Sequence, residues 1–306
     1  MRPMLATKGT RPPAGAAWLH EVKWDGVRAL VEASRDGAVR MTSRNENVIT
    51  AAWPDVAEAG AARDLLLDGE VIALGERGTP DFRALQDRIH VRRREQALRW
   101  ARERPAVLMV FDVLRLDGRD LAGRPLEERR AILEGLRGEL GAWQVPDAHD
   151  DGAMLAEATL AQGLEGVVSK RRDSPYRFGE RSPHWLKMPH RTRASYVVGG
   201  WRPQEGTHDR LAALLVGEPT PDGLAYRGRV GSGIGTTASA RLRALLDPLA
   251  AASSPFADEV PALDARGTRW VRPLLVVEVE THGVGYRRLR QPSFQGVRTD
   301  VTAADL

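Results

Sequence analysis

Apolar and polar positions follow two spacings through the first two thirds of the chain. The runs VRALVEA (27–33), LLLDGEVIAL (65–74), AVLMVFDVL (106–114) and GVVSKR (166–171) are short and rich in Val, Leu and Ile. Turn-forming or charged residues bound them, as expected of buried or half-buried strands. Between these runs, WPDVAEAGAARD (53–64), PLEERRAILEGLRGEL (125–140) and DGAMLAEATLAQG (151–163) predict helices. The second carries Leu126, Ile132, Leu133, Leu136 and Leu140 at helical spacing, with Pro125 in the first turn. No regular strand–helix–strand repeat joins the strands. The pattern predicts an α+β fold with antiparallel sheets rather than a doubly wound parallel sheet.

Around residues 188–194 the texture changes. ASYVVGGWR (194–202), LAALLVG (211–217), LAYRGRVG (224–231) and LLVVEVET (274–281) are strand-like runs separated by Gly and Pro turns, with one helix predicted over 236–249. This predicts a small β-barrel and a boundary near residue 190, giving domains 1–190 and 191–306. The stretch 249–262 reads as a loop. RVGSGIG (229–235) reads as a turn into the helix near Thr236, because no parallel strand–helix–strand unit surrounds it as a dinucleotide-binding loop requires. The basic run 91–104 reads as a helix with a solvated face, the other reading being a phosphate-tracking surface.

Composition narrows the class. The 306 residues are 42% hydrophobic and 28% charged, with a net charge of +4, which suits a globular protein and is compatible with a phosphate-rich partner. No stretch approaches the ~18 apolar residues of a membrane span, and the N-terminus lacks the apolar core of a secretory signal. Zero cysteines exclude disulfides and thiolate metal sites, consistent with a cytoplasmic location.

Charge type is more informative than net charge. Of 45 basic residues only Lys8, Lys23, Lys170 and Lys187 are lysines. Arginine stays protonated and is no practical nucleophile, whereas a lysine amine (pKa about 10.4 when free) can be deprotonated by its surroundings and attack. Lys23 stands in EVKWDG (21–26). Alone, K-x-D-G is a weak signal that also describes a turn between strands, with Gly26 supplying an unusual backbone angle. Downstream follow SRNE (43–46), LDGEVIAL (67–74), VFDVL (110–114), LEGVVSKR (164–171) and RSPHWLKM (181–188). Taken singly, Phe111 reads as a core aromatic and Asp68-Gly69 as a turn.

As an ordered set these motifs resemble the covalent nucleotidyltransferase superfamily of ATP-dependent polynucleotide ligases and mRNA capping enzymes. LQDRIH (85–90), FGERSPHWLK (178–187) and VVGGWRPQEG (197–206) are most similar to the ligase domain of bacterial non-homologous end-joining enzymes. The resemblance covers nearly the whole chain. It implies an adenylation domain followed by an OB-fold barrel. It also implies ATP as substrate, Mg²⁺ or Mn²⁺ as cofactor, and nicked duplex DNA as the partner of a monomer, with end-binding and polymerase proteins alongside.

Residue by residue, the resemblance makes Lys23 the nucleophile that takes AMP. Glu21 falls near the adenine amino group, Phe111 stacks on the base, and Arg28, Arg44 and Glu70 reach ribose or phosphates. Lys170, Arg181 and Lys187 face the phosphates. Glu70 and Glu165 hold the metal, an oxygen ligand set suited to a hard cation. Arg44 and Arg298 contact DNA. Two positions depart from the family pattern: Pro189 and Val301 stand where lysines are expected, the second after Arg298 and Asp300. These departures predict slow self-adenylation and better sealing of preadenylated DNA. The alternatives are a capping-type or RNA-ligase enzyme and a silent DNA-binding relative.

Overall fold

Alternation within the strands decides how the first unit is layered. The computed structural model describes residues 1–75, 78–207, 210–282 and 287–306, without the side chain of Arg83. The chain divides into Met1–His190 and Arg191–Leu306.

The first unit contains two sheets. Strands β1 (Leu5–Lys8), β2 (Trp18–Val22), β8 (Gly166–Arg171) and β9 (Arg181–Pro189) form one, in the order β1-β9-β8-β2. Strands β3 (Val27–Ala33), β4 (Val39–Ser43), β5 (Leu65–Ala73), β6 (Ala106–Leu116) and β7 (Arg119–Asp120) form the other, in the order β4-β3-β5-β6-β7. Every pairing in the second sheet is antiparallel. In the first, only β1 and β9 run parallel.

Side chains two apart share a face, so β5 sends Leu65, Leu67, Val71 and Ala73 into an outer core with Trp53, Leu133 and Trp143. Its Leu66 enters a second cluster with Leu30, Phe111, Tyr176 and Trp185, drawn from both sheets. The space between the sheets is therefore partly apolar and partly lined by the charged residues of β5. Helices α1 (Pro54–Ala57), α2 (Phe82–Gln86), α3 (Arg94–Glu103), α4 (Leu126–Gly135) and α5 (Gly152–Ala161) complete the unit. Leu155 of α5 packs on Val167 and Met188 of the four-stranded sheet.

The predicted strands of this unit are all present, but its helices are shorter than their patterns. The helix expected over 53–64 is confined to Pro54–Ala57. Ala142 N–H bonds to Ala59 C=O at 2.9 Å, and Gly60 is so close to the Trp143 ring that a Cβ would strike it, so tertiary packing captures the backbone that would extend the helix. Pro125 is the N-cap of α4 rather than a residue of its first turn. Asp151 caps α5 by accepting from the amides of Ala153 and Met154.

The second unit is one antiparallel sheet of β10 (Arg191–Pro203), β11 (Leu211–Thr220), β12 (Gly223–Val230), β14 (Val276–His282) and β15 (Ser293–Arg298), in the order β12-β11-β10-β14-β15. The short β13 (Arg269–Trp270) pairs with β10. A bridge from Ser232, just past β12, to Ser293 of β15 brings the two edges together, giving the barrel character expected of the runs. Helix α6 (Thr236–Leu246) starts at an N-cap of Gly235, so RVGSGIG is a turn into a helix as its setting suggested. The loop 249–262 is irregular, and a four-residue helix, α7 (Ala262–Ala265), begins at its end. Among the described residues, no helix is long and apolar enough to cross a membrane.

Candidate active site

Lys23 lies in the link between β2 of one sheet and β3 of the other, and its amide is fixed by Gly166 C=O at 2.8 Å. It opens onto a cleft of about 190 Å³ between the sheets. The expected residues Glu21, Lys23, Arg28, Arg44, Glu70, Phe111, Lys170, Arg181 and Lys187 all line this cleft. Glu165 joins them through its carboxylate, 2.6 Å from Lys23 Nζ. Arg298 lies in the second unit, bidentate to Asp300 at 2.6 and 2.7 Å and bonded to Ser195 Oγ at 2.9 Å.

Gly26 holds its place for want of space rather than for an unusual angle. Its φ is not positive, but a Cβ there would collide with the Val71 carbonyl and the Glu70 side chain. Close approach of the lysine loop to β5 is what excludes a side chain.

Phe111 owes its orientation to a bulge. The β5–β6 register passes from Asp68↔Asp112 to Gly69↔Val110, so Phe111 is the extra residue on its strand. Such a bulge re-aims a side chain and takes backbone groups out of the ladder. Here the ring lines the cleft, and the Phe111 carbonyl accepts from Lys170 Nζ at 3.3 Å. Phe111 is a core aromatic as well, since it also packs in the apolar cluster between the sheets.

Asp68 is no turn residue. It is fully buried in mid-strand and receives both Arg28 Nε at 2.5 Å and Nη2 at 2.6 Å, with the Tyr176 hydroxyl at 2.6 Å. The glycine that follows is part of the strand: a Cβ at Gly69 would press on the Met109 carbonyl and Leu108. Directly across the ladder, buried Asp112 is bidentate with buried Arg129, at 2.8 Å for both bonds. Two carboxylates side by side in a dry layer repel, and a guanidinium on each neutralises the pair. Burial opposes the charge on Arg28, but Asp68 outweighs it and raises the arginine's pKa. Arg28 also lies over the Phe111 ring, 4.7 Å from its centroid. Asp68 and Tyr176 thus hold Arg28 and, through it, the aromatic wall.

The cleft has two electrostatic ends. At the aromatic end, Lys170 Nζ sits 4.5 Å from the Phe111 centroid and 4.3 Å from that of Trp185, and pairs with Glu21 at 2.6 Å. Burial lowers the Lys170 pKa while Glu21 works against the shift. Arg130 faces the other Glu21 oxygen at 3.7 Å. Lys170, expected beside the phosphates with Arg181 and Lys187, is therefore engaged with Glu21 between two rings.

At the other end, partial burial lowers the pKa of Lys187, and Lys23, Arg181 and Arg44 push it further down, while Glu165 opposes. Arg181 is anchored by Ala6 C=O at 2.6 Å. Glu70 faces the same region. Burial pushes its carboxyl up to about 8 despite Arg28 and Lys23, with Glu165 adding to the rise.

Strand β9 carries Arg181, Trp185 and Lys187 but escaped the apolar-run reading. Its side chains serve a charged cleft, and Pro183 sits where the β1–β9 register jumps from Ala6↔Ser182 to Thr7↔Leu186. Trp185 and Tyr176 were absent from the expected site residues. The W-L-K triplet was the available signal for Trp185. Nothing local marked Tyr176, whose hydroxyl meets Asp68 across 108 positions of sequence.

Comparison with known proteins decides the family. Residues 3–188 match the model for the ATP dependent DNA ligase domain, and residues 207–301 match that for the ATP dependent DNA ligase C terminal region. The chain belongs to the ATP-dependent DNA ligase family.

Among its relatives is the multifunctional non-homologous end joining DNA repair protein LigD of Mycobacterium tuberculosis. The two are 39% identical over 306 residues, covering 98% of this chain and 39% of the relative. A DNA ligase of Natronomonas pharaonis is 33% identical over 323 residues, covering 100% of this chain and 56% of that protein. The chain thus spans well under two thirds of these curated relatives. Among solved structures, mycobacterial DNA ligase D complexed with ATP and MES is 38% identical. It covers 100% of this chain and 97% of that one, with a TM-score of 0.59.

Proposed function

We propose that this protein is an ATP-dependent DNA ligase that seals nicks with a 5′-phosphate and a 3′-hydroxyl in duplex DNA, as in end-joining repair. One observation carries the reading: a single cleft offers the Lys23 amine between an aromatic wall and a cluster of cations. The aromatic wall of Phe111 and Trp185 suits the adenine ring of ATP, as the solved mycobacterial relative's complex with ATP favours. Arg44, Arg181 and Lys187 suit the triphosphate. Lys23 Nζ attacks the α-phosphorus, an N–P bond forms, and pyrophosphate leaves with the electrons of the broken P–O bond. An oxygen of the DNA 5′-phosphate then attacks the same phosphorus and frees the lysine. Finally the 3′-hydroxyl attacks the 5′-phosphate and AMP departs.

Glu70 and Glu165 fit a Mg²⁺ or Mn²⁺ ion. Both offer oxygen, and both lie close enough to Lys23 for their charges to act on one another. Among the described residues no group of three or more His, Cys, Asp or Glu could form a protein-only cage. A pair of carboxylates suits an ion that keeps several waters and shares ligands with substrate phosphates. When bound, the ion would neutralise charge on those phosphates. The 2.6 Å pair with Glu165 meanwhile orients the Lys23 amine.

The deciding experiment incubates wild type and Lys23→Ala with α-labelled ATP or GTP, then with nicked or preadenylated DNA. Wild type takes label from ATP at Lys23 and seals both substrates. Lys23→Ala takes no label and seals only preadenylated DNA. Labelling by GTP alone would refute the ligase reading in favour of a capping-type enzyme. Absence of any adduct, with nick binding intact, would favour a silent DNA-binding relative.

A further inference from the structure

Helix α4 buries two consecutive arginines, and no step of the proposed reaction uses either. Arg129 and Arg130 are 0% and 5% exposed. Burying a guanidinium is costly unless it is paired, so each has to hold something. Successive helix positions point about 100° apart, and the two side chains diverge accordingly. Arg129 takes both oxygens of Asp112 and belongs to the layer between β5 and β6. Arg130 reaches Glu21 instead. Its Nε donates to Glu134 at 2.7 Å, one turn further along the helix, and its Nη2 donates to the Pro146 carbonyl. These two bonds fix the fork and leave Nη1 facing Glu21 Oε1 at 3.7 Å.

Both atoms of that last pair are buried and neither has a hydrogen-bond partner. At 3.7 Å the pair is too long for a hydrogen bond, yet in a dry layer the attraction between the charges still orients the carboxylate. Glu21 is therefore held from two sides. Lys170 takes Oε2 at 2.6 Å beside the two rings, and Arg130 draws Oε1 from outside the cleft, whose lining includes Glu21 and Lys170 but not Arg130. The Glu21 backbone is fixed as well, paired in register with Val168 of β8.

A carboxylate held between cations can only accept. Beside an aromatic wall, such a group distinguishes purines by their 6-position. Adenine carries an amino donor there, whereas hypoxanthine carries a carbonyl that a carboxylate repels. Lys170, a donor, would serve the carbonyl. The choice of base thus depends on the direction of the Glu21 carboxylate. Without the pull of Arg130, that carboxylate swings toward Lys170 and loses its set direction.

We propose that Arg130 is a positioning residue for the nucleobase, acting through Glu21 to favour a 6-aminopurine nucleotide over a 6-oxopurine one. The inference rests on the proposed lysyl-AMP reaction, and its test separates the two.

Lysyl-nucleotide formation by the full chain is measured with labelled ATP and ITP, which differ only in the 6-amino or 6-oxo edge. Wild type uses ATP with the higher kcat/KM. Arg130→Met and Arg130→Gln lower that preference about tenfold, the low end of what a partner behind a binding group carries, through a raised KM for ATP rather than a lower kcat. Arg130→Lys restores a cation and keeps most of the preference. In a Glu21→Gln background, Arg130→Gln changes the ratio no further, because the group it acts through is gone.

An equal loss with ATP and ITP in Arg130→Gln marks a merely structural arginine and overturns the proposal, as does an unchanged ratio. If Arg130→Met does not fold, Arg130→Gln and Arg130→Lys decide on the same criterion. A wild type labelled equally well by ATP and ITP also overturns it, since Glu21 then reads no base. A wild type that forms no adduct with ATP sinks the ligase reading itself, a separate result.

Discussion

Replacing Tyr176 with phenylalanine tests whether a network remote from the reacting atoms builds the nucleotide cleft. The hydroxyl donates to Asp68 at 2.6 Å and accepts from Met4 N–H at 2.9 Å, and Asp68 in turn holds Arg28 through two bonds. The ring's edge-to-face contacts with Phe178 and Trp185, at 5.0 and 5.7 Å, are kept by phenylalanine. The substitution therefore removes one hydrogen bond to a buried charge and leaves a backbone donor unpaired.

Hydrogen bonds to charged groups contribute about 1.5–3 kcal/mol, and an orphaned buried donor costs about 1–3 kcal/mol. Some of both is recovered by relaxation, so the expected loss is about 2–3 kcal/mol. Urea unfolding followed by tryptophan fluorescence reads it directly. Because Arg28 lies over Phe111, the same variant raises the KM for ATP in self-adenylation more than it lowers kcat. A double-mutant cycle with Asp68→Asn gives a coupling energy of about 1–3 kcal/mol. A stability change under 0.5 kcal/mol, with an unaltered KM, would refute the reasoning.

Three further predictions test other parts of the molecule. Gly26→Ala forces the lysine loop away from Val71 and Glu70, so lysyl-AMP formation falls at least 100-fold on the order of what a 1 Å misplacement costs, with the rest of the fold kept by circular dichroism. Val301 packs against the barrel cluster of Val197, Leu215 and Phe256. Val301→Lys is expected to speed lysyl-AMP formation in a single-turnover assay at a stability cost of about 1 kcal/mol, and an unchanged rate counts against the role assigned to that position. His20 is fully buried against Ser169 Oγ at 2.7 Å, and burial lowers its pKa from 6.5. The fold prefers its neutral form, so the stability this gives is complete above pH 6.5 and is lost as pH falls below it toward the depressed value. The urea midpoint of wild type should drop more between pH 7.5 and 5.5 than that of His20→Asn, and equal drops would exclude His20 as the cause.

The strand runs were legible because burying one face, or both, imposes apolar residues at short, regular spacing whatever the neighbours are. VRALVEA and GVVSKR coincide with β3 and β8. β9 was not legible, since a central strand that lines a charged cleft has no apolar run to read. Helix ends were overestimated where another segment claimed the backbone, as Ala142 does at Ala59.

Chemistry divides along the same line. The choice of lysine over arginine at position 23, and the order of the motifs around it, were set by sequence, because nucleophilicity belongs to the residue type. Which carboxylates meet which cations was decided only in three dimensions. Asp68 and Asp112 become neighbours through strand register, and a one-residue bulge turns Phe111 into the cleft. Glu21 claims Lys170 because β2 and β8 are paired. Pairing of charges across tens of residues depends on register and burial, and neither is written in any local stretch of the chain.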